Sequence, residues 1–178
     1  DIFAAWKQDH DNFTDLPEKV AIQLNDTHPA LVIPEMMRIL IDEEQLDFKT
    51  AWDITRQCCS YTNHTILPEA LEKWSVKLFE ELLPRHLMLI YQINEHIMNQ
   101  VIQLYPGNID KMRNLSIIEE GPEKKIRMAQ LCLHGTHTVN GVAELHTRIL
   151  KERIFPDFYE MYPERFQNKT NGITPRLW

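Results

Sequence analysis

The sequence predicts an α/β layered fold with a partly parallel sheet, and three observations carry that expectation. The run Lys19–Leu24 (KVAIQL) is rich in β-forming residues, long segments carry the apolar period of helices, and the two kinds of stretch alternate. Ile33, Met36, Met37, Leu40 and Ile41 recur at i, i+3, i+4, i+7 and i+8, one face of a helix, and Pro34 suits its first turn. A second helix covers roughly Phe48 to Cys58. Pro84 can open a long one whose buried stripe is Leu87, Ile90, Ile93, Ile97, Val101 and Leu104. Another runs from about Val142 to Arg153, with Val142, Leu145, Ile149 and Leu150 inward. Met128–Leu133 (MAQLCL) is a short apolar run that reads as strand-like but of open type, because periodicity does not separate a buried strand from a buried helix segment.

Composition narrows the function classes. Of 178 residues, 43% are hydrophobic and 25% charged, normal for a globular protein, and the net charge is −7 with dispersed basic residues. Nucleic acid, which requires a concentrated basic face, is a poor partner for such a chain. No apolar run approaches the ~18 residues that a membrane helix requires. Cys58, Cys59 and Cys132 are odd in number and lack metal or redox spacing, which predicts a reduced, cytoplasmic setting. There, the sequons at Asn12, Asn25, Asn63, Asn114 and Asn168 would go unglycosylated. No repeat, low-complexity tract or Gly/Ser linker marks a domain boundary. A start without methionine and an end at NGITPRLW predict a piece of a longer protein.

A recurring pattern points to the chemistry. After Leu24 comes NDTHP, after Cys58-Cys59 comes SYTNHT, after Leu133 comes HGTHTVNG, and after Phe166 comes QNKTNG. Any one of these polar clusters is explained by turns and helix caps. Four of them, each with an amide or imidazole, suggest loops at the carboxyl edge of an α/β sheet, where ligands bind. No P-loop or G-x-G-x-x-G is present, so a phosphate cradle is not indicated. Neutral groups that both donate and accept hydrogen bonds match a polyol, and a sugar is the natural ligand. His28, His64, His134, His137 and His146 could in principle bind zinc, but no metal-ligand spacing appears, and no metal is expected. Hydrolase signatures are missing too. Asp26 is the only acid within a cluster; Glu43-Glu44, Glu80-Glu81 and Glu119-Glu120 read as solvated helix faces, which disfavours a glycosidase with paired carboxylates.

The segments KVAIQLNDTHP, YTNHTILPEALEKW, LLPRHLMLIYQIN, VNGVAELH and FQNKTNGITPR resemble, in order and spacing, the α-glucan (glycogen or starch) phosphorylases. The resemblance runs from about Glu18 to Trp178. It implies a retaining glycosyltransferase that moves the terminal glucosyl unit of an α-1,4-glucan onto inorganic phosphate, giving glucose 1-phosphate. The fold it implies is GT-B, two Rossmann-like domains with the site in the crevice between them. Residues 1–165 would be the later part of the N-terminal domain, and residues 166–178 the crossover into a C-terminal domain. That domain would carry the pyridoxal phosphate lysine and most phosphate-binding residues, so the cofactor's attachment lysine is not in this chain.

Residue by residue, the resemblance places His64 against the 6-hydroxyl of the reacting glucose, with its backbone carbonyl facing the anomeric centre. Asn171 contacts the same glucose, and Asp26, Thr27 and His28 shape a pocket beside the anomeric carbon. Tyr91, Asn94, Glu120 and Lys124 match a remote glycogen storage site, although Tyr91 could also be packed and Glu120–Lys124 a simple i,i+4 pair. A homodimer is implied for the whole protein. Two departures from the family pattern stand out: HGTHTVNG where GSH and Ala or Lys usually precede VNG, and Leu177 where a second arginine is usual. The competing function is a non-catalytic α-glucan-binding module; a metallohydrolase is a third.

Overall fold

A computed structural model describes residues 2–176; Leu177, and with it the departure from the double arginine, lies outside the described residues, as does Trp178. The strands are β1 (Ile22–Asn25), β2 (Cys59–Thr62), β3 (Lys73–Ser75), β4 (Ile118–Glu119), β5 (Lys125–Arg127), β6 (Thr138–Gly141) and β7 (Phe166–Asn168). The helices are α1 (Ile2–Trp6), α2 (Leu16–Lys19), α3 (Val32–Arg38), α4 (Phe48–Cys58), α5 (Val76–Leu82), α6 (Pro84–Leu104), α7 (Ile109–Leu115), α8 (Met128–His134), α9 (Glu144–Ile149) and α10 (Pro156–Met161).

Strands β1-β2-β6-β7 form one sheet in that order, and every pairing in it is parallel. Its central strands are buried at Cys59, Tyr61 and Val139, as expected of a sheet covered by helices on its faces. A smaller antiparallel sheet, β3-β5-β4, stands beside it and was not foreseen from the sequence. Its strands are two or three residues long, too short for an alternation to register.

The helices follow their local signals. Asp47 caps α4 by accepting the Thr50 N–H at 3.1 Å, so the helix begins at Phe48 as predicted. Pro84 opens α6, and Leu87, Ile90, Ile93, Ile97 and Val101 are buried along it, against α3 and α5. Leu104, expected on that stripe, is exposed, because the helix ends there and Tyr105 leaves the helical backbone. Helix α3 carries its expected face inward, except that Ile41 falls in the π-type turn Ile39–Glu43 and is only partly covered.

Other expectations are corrected. Met128–Leu133 is helical, because all but Gln130 are buried round the helix, so its continuous apolar run carries no strand alternation. Lys19 ends a short helix rather than starting β1. The helix expected from Val142 to Arg153 is shorter: it begins at Glu144, gives way to a π-type turn over Leu150–Ile154, and turns Leu145 outward. Glu119 lies on β4 and binds Lys73 at 2.6 Å rather than on a helix face. The three cysteines are free and buried, and burial pushes the thiols of Cys58 and Cys59 up to about 11 and about 12, which makes them packing groups rather than nucleophiles.

Candidate functional site

The four parallel strands end side by side at Asn25, Thr62, Gly141 and Asn168, so the loops that leave them share one edge of the sheet. The first, second and fourth polar clusters lie there, the second and fourth including residues of β2 and β7 themselves. The third is split, because the apolar run before it is a helix: Thr138–Gly141 is β6, but His134 ends α8 and Gly135–His137 precede β6 at the opposite edge, where His137 N–H donates to the carbonyl of Cys59, the first residue of β2, at 3.0 Å.

Backbone bonds lace the loops together. Asp26 N–H donates to Thr62 C=O at 2.8 Å and Asn63 N–H to Asn140 C=O at 3.0 Å. On the other side of β6, Lys169 N–H donates to Gly141 C=O at 3.1 Å and Asn171 N–H to Val142 C=O at 3.0 Å. Asn63 and Asn171 are thus tied to the same short segment, Asn140–Val142, from its two flanks.

A buried polar network stiffens the middle of this edge. Asn63 is fully buried; its Nδ2 donates to the Tyr61 hydroxyl at 3.0 Å and its Oδ1 accepts from Thr65 N–H at 3.0 Å. His146 closes the ring: its Nδ1 accepts from Val142 N–H at 3.1 Å, and its Nε2–H donates to Asn63 Oδ1 at 3.2 Å. That arrangement requires neutral imidazole. Burial is the main cause holding the His146 pKa below its ordinary value; a bond to the Thr65 backbone opposes it and His64 adds to it. Thr62 Oγ1 donates to Asn140 Oδ1 at 2.8 Å and accepts from Gln23 Nε2 at 2.8 Å, which joins β1, β2 and β6 by side chains as well.

His64 stands out from this network. Its side chain is exposed, and its Nε2–H donates to Asn25 Oδ1 at 2.5 Å, across from β2 to β1. With Nε2 engaged by Asn25, Nδ1 is the ring nitrogen left for a further partner. Among the described residues no backbone hydrogen bond ends on the His64 carbonyl. Asn171 is also exposed, with its backbone held as described. Two polar side chains therefore project from rigidly tied loops on either side of β6.

Asp26, Thr27 and His28 occupy the loop after β1. Asp26 has φ 62°, the left-handed region where Asp and Asn are tolerated, and its Oδ1 accepts the Thr27 N–H at 2.7 Å. Thr27 is buried and donates to Glu72 Oε2 at 2.8 Å; His28 is exposed, with Nδ1 4.0 Å from the same carboxylate. Thr27, His28 and Glu72 face a cleft of about 190 Å³ that Leu31, Trp74 and Met128 also line. Sequence reasoning missed Asn25, Asn63, Glu72 and, as a sugar-edge residue, His146. Asn63 and Asn25 were within the quoted clusters, but nothing in the sequence separates an inward amide from an outward one.

The second predicted group lies elsewhere. Tyr91 is exposed on α6. Asn94, one turn on, points inward: its Oδ1 accepts from Ile117 N–H at 2.7 Å and Ser116 Oγ at 3.2 Å. Lys124 and Glu120 pair with each other at 3.1 Å. Asn94 and Glu120 line an open groove of about 770 Å³ with Met98, Met112, Arg113 and Arg127.

The candidate zinc ligands do not converge. His134 is buried, with Nε2–H donating to Leu115 C=O at 2.8 Å, and burial pushes its pKa down to about 3. His137 is exposed and bonds Thr138 Oγ1. Among the described residues no group of three or more His, Cys, Asp or Glu is placed to hold a metal ion. No helix among them is long and apolar enough to cross a membrane.

What the fold and this edge define is an open, parallel α/β sheet whose carboxyl ends present uncharged hydrogen-bonding groups. Comparison with known proteins is specific: the carbohydrate phosphorylase profile matches residues 1–178, and the chain belongs to that family. It is 61% identical over 167 residues to mouse muscle-form glycogen phosphorylase and 60% identical to the human muscle form. Rat brain-form glycogen phosphorylase is 61% identical over 166 residues. These matches cover 93–94% of this chain but 20% of each relative, so the chain spans about one fifth of the length of the curated relatives it matches.

Proposed function

We propose that this chain is the glucose-facing wall of an α-glucan phosphorylase, which releases terminal α-1,4-linked glucose from glycogen as glucose 1-phosphate. One observation supports the reading beyond family membership: His64 and Asn171 leave loops on the two sides of β6 that are tied, through Asn63 and Asn171 N–H, to Asn140 and Val142 of one segment. Two strand spacings amount to about 10 Å, a span that a hexose and two side-chain contacts fill. The His64 ring meets a sugar hydroxyl through Nδ1, the nitrogen not engaged by Asn25, in a hydrogen bond. The His64 carbonyl dipole lowers the energy of positive charge developing at the anomeric carbon, so the loop acts on the transition state as well as on binding. Asp26, Thr27 and His28 bound the space beside that carbon. Residues 1–165 are then the later part of the N-terminal half of a GT-B enzyme and 166–178 the crossover.

Pyridoxal phosphate, which the family implies, does not fit the residues of this edge. The four loops carry a single lysine, exposed Lys169, and no Gly-rich turn for a phosphate. The attachment lysine and the phosphate contacts belong to the C-terminal half, as does the inorganic phosphate site. Tyr91, Asn94, Glu120 and Lys124 make a second glucan-holding surface, with Asn94 bracing the α7–β4 turn and Tyr91 offering its ring face to a sugar. The whole protein is a cytoplasmic homodimer in this reading.

The test is phosphorolysis by the full-length protein: glucose 1-phosphate formed from glycogen and inorganic phosphate, and lost on changing His64. Saturable glycogen binding without turnover would replace this reading with that of a binding module.

A further inference from the structure

Arg165 sits directly before β7 with 6% of its surface exposed, yet no carboxylate balances its charge closely; Glu164 is 4.0 Å away and mostly in solvent. Its Nη1 instead donates to the carbonyls of Leu133 at 3.3 Å, His134 at 3.4 Å and Thr136 at 3.1 Å. Its guanidinium stacks 3.6 Å from the centroid of the Tyr162 ring. The first two carbonyls end α8, where helix dipoles concentrate negative charge, and the third lies in the turn leading to β6. Burial lowers the Arg165 pKa to about 10, so the side chain is still a cation at neutral pH.

The location gives this anchor a purpose. Strand β7 is three residues long, sits at the sheet edge, and buries only Phe166. A strand that short specifies its own register weakly, and a slip of one residue turns every side chain to the opposite face. At its end stands Asn168, which accepts from Thr147 Oγ1 at 3.1 Å, and past it lies Asn171. We infer that Arg165 is a positioning residue: by clamping the start of β7 to the α8–β6 turn and to Tyr162, it sets the register of β7 and so places the Asn168–Asn171 loop at the sugar-facing edge.

The kinetic arm rests on the functional reading above; the exchange arm does not. In the full-length protein, Arg165→Met should raise amide exchange in peptide 166–172 by about tenfold or more while peptides from α4 and α6 keep theirs. It should lower kcat on glycogen by roughly 10- to 100-fold, with KM moving less, as a misplaced contact does. Arg165→Lys, which keeps the charge and a donor for the carbonyls, should recover most of both. Should Arg165→Met not fold, Tyr162→Leu removes the stacking ring, together with its hydroxyl's 3.3 Å bond to His134 Nδ1, and should raise exchange in the same peptide, whereas Tyr162→Phe, which loses only the hydroxyl, should not. Unchanged exchange in 166–172, a rise spread evenly over the fold, or a lysine variant no better than methionine would overturn the inference. If His64→Ala leaves phosphorolysis intact, the functional reading fails, while the exchange result still decides the role of Arg165.

Discussion

Replacing His64 with alanine separates binding chemistry from folding in a way few positions here allow. The side chain is exposed and makes one hydrogen bond, to Asn25, so its removal should change stability by no more than about 0.5 kcal/mol. In the proposed role its effect on catalysis should be larger. A donor–acceptor pair to a substrate hydroxyl in a closed site, lost from one partner, costs about 2–4 kcal/mol in kcat/KM. That is about 30- to 1,000-fold in rate. The assay is the initial rate of glucose 1-phosphate release from glycogen by the full-length enzyme, at saturating phosphate, beside a thermal melt. Asn25→Ala should cost about 1 kcal/mol, since it removes only the bond that fixes the ring's orientation. The double variant should then show coupling of at least ~0.5 kcal/mol, because the two residues touch. A folded His64→Ala enzyme with wild-type kcat/KM would refute the argument, whatever Asn25 does.

Three other outcomes follow from particular contacts. A Cβ on Gly141 would lie 2.5 Å from Thr147 Oγ1 and 3.0 Å from the Thr147 backbone, so Gly141→Ala should destabilise by about 1–3 kcal/mol and lower the thermal midpoint; an unchanged midpoint would mean that α9 yields freely. His134 is neutral in the fold, its pKa pushed by burial from 6.5 to about 3. Its contribution is fully present above pH 6.5 and is lost as pH falls toward 3, because the unfolded chain takes up a proton that the native state refuses; the slope reaches about 1.4 kcal/mol per pH unit. His134→Gln should flatten that limb in denaturant unfolding between pH 7 and pH 5, and an equal slope in both proteins would place the acid sensitivity elsewhere. Tyr91→Ala should weaken association with glycogen particles about fivefold, the loss of one stacked ring at ~1 kcal/mol, while turnover of short maltooligosaccharides stays unchanged; equal losses on both substrates would remove the second surface.

The two longest helices of this fold, α4 and α6, are legible in the sequence because their signals are local. Asp47, Pro84 and the stripe from Leu87 to Val101 act over one or two turns, and α4 and α6 appear where those signals put them. The main sheet was readable only in part. The expected strand Lys19–Leu24 slid to Ile22–Asn25, while β2, β6 and β7 hid inside stretches read as polar loops, because a strand of three or four residues flanked by Thr and Asn shows no period. Met128–Leu133 went the other way, since burial all round a short helix erases the alternation that would mark a strand.

The same limitation explains the site. Polar clusters marked its edge, since groups able both to donate and to accept are recognisable by type. What type does not reveal is direction. Asn63 and His64 are neighbours in one quoted motif, yet one is fully buried, holding Tyr61, Thr65 and His146, and the other is exposed beside Asn25. That division of labour is what the proposed sugar-binding edge requires. Inward amides whose bonds are satisfied within the protein fix the loops before any ligand arrives, so little conformational entropy remains to be lost when the outward groups meet a hydroxyl. Such a network is also unforgiving. Exchanging the roles of adjacent Asn63 and His64 would leave composition and spacing nearly intact, but it would bury an imidazole where a small amide closes three bonds, and the edge would lose its shape before it lost its chemistry.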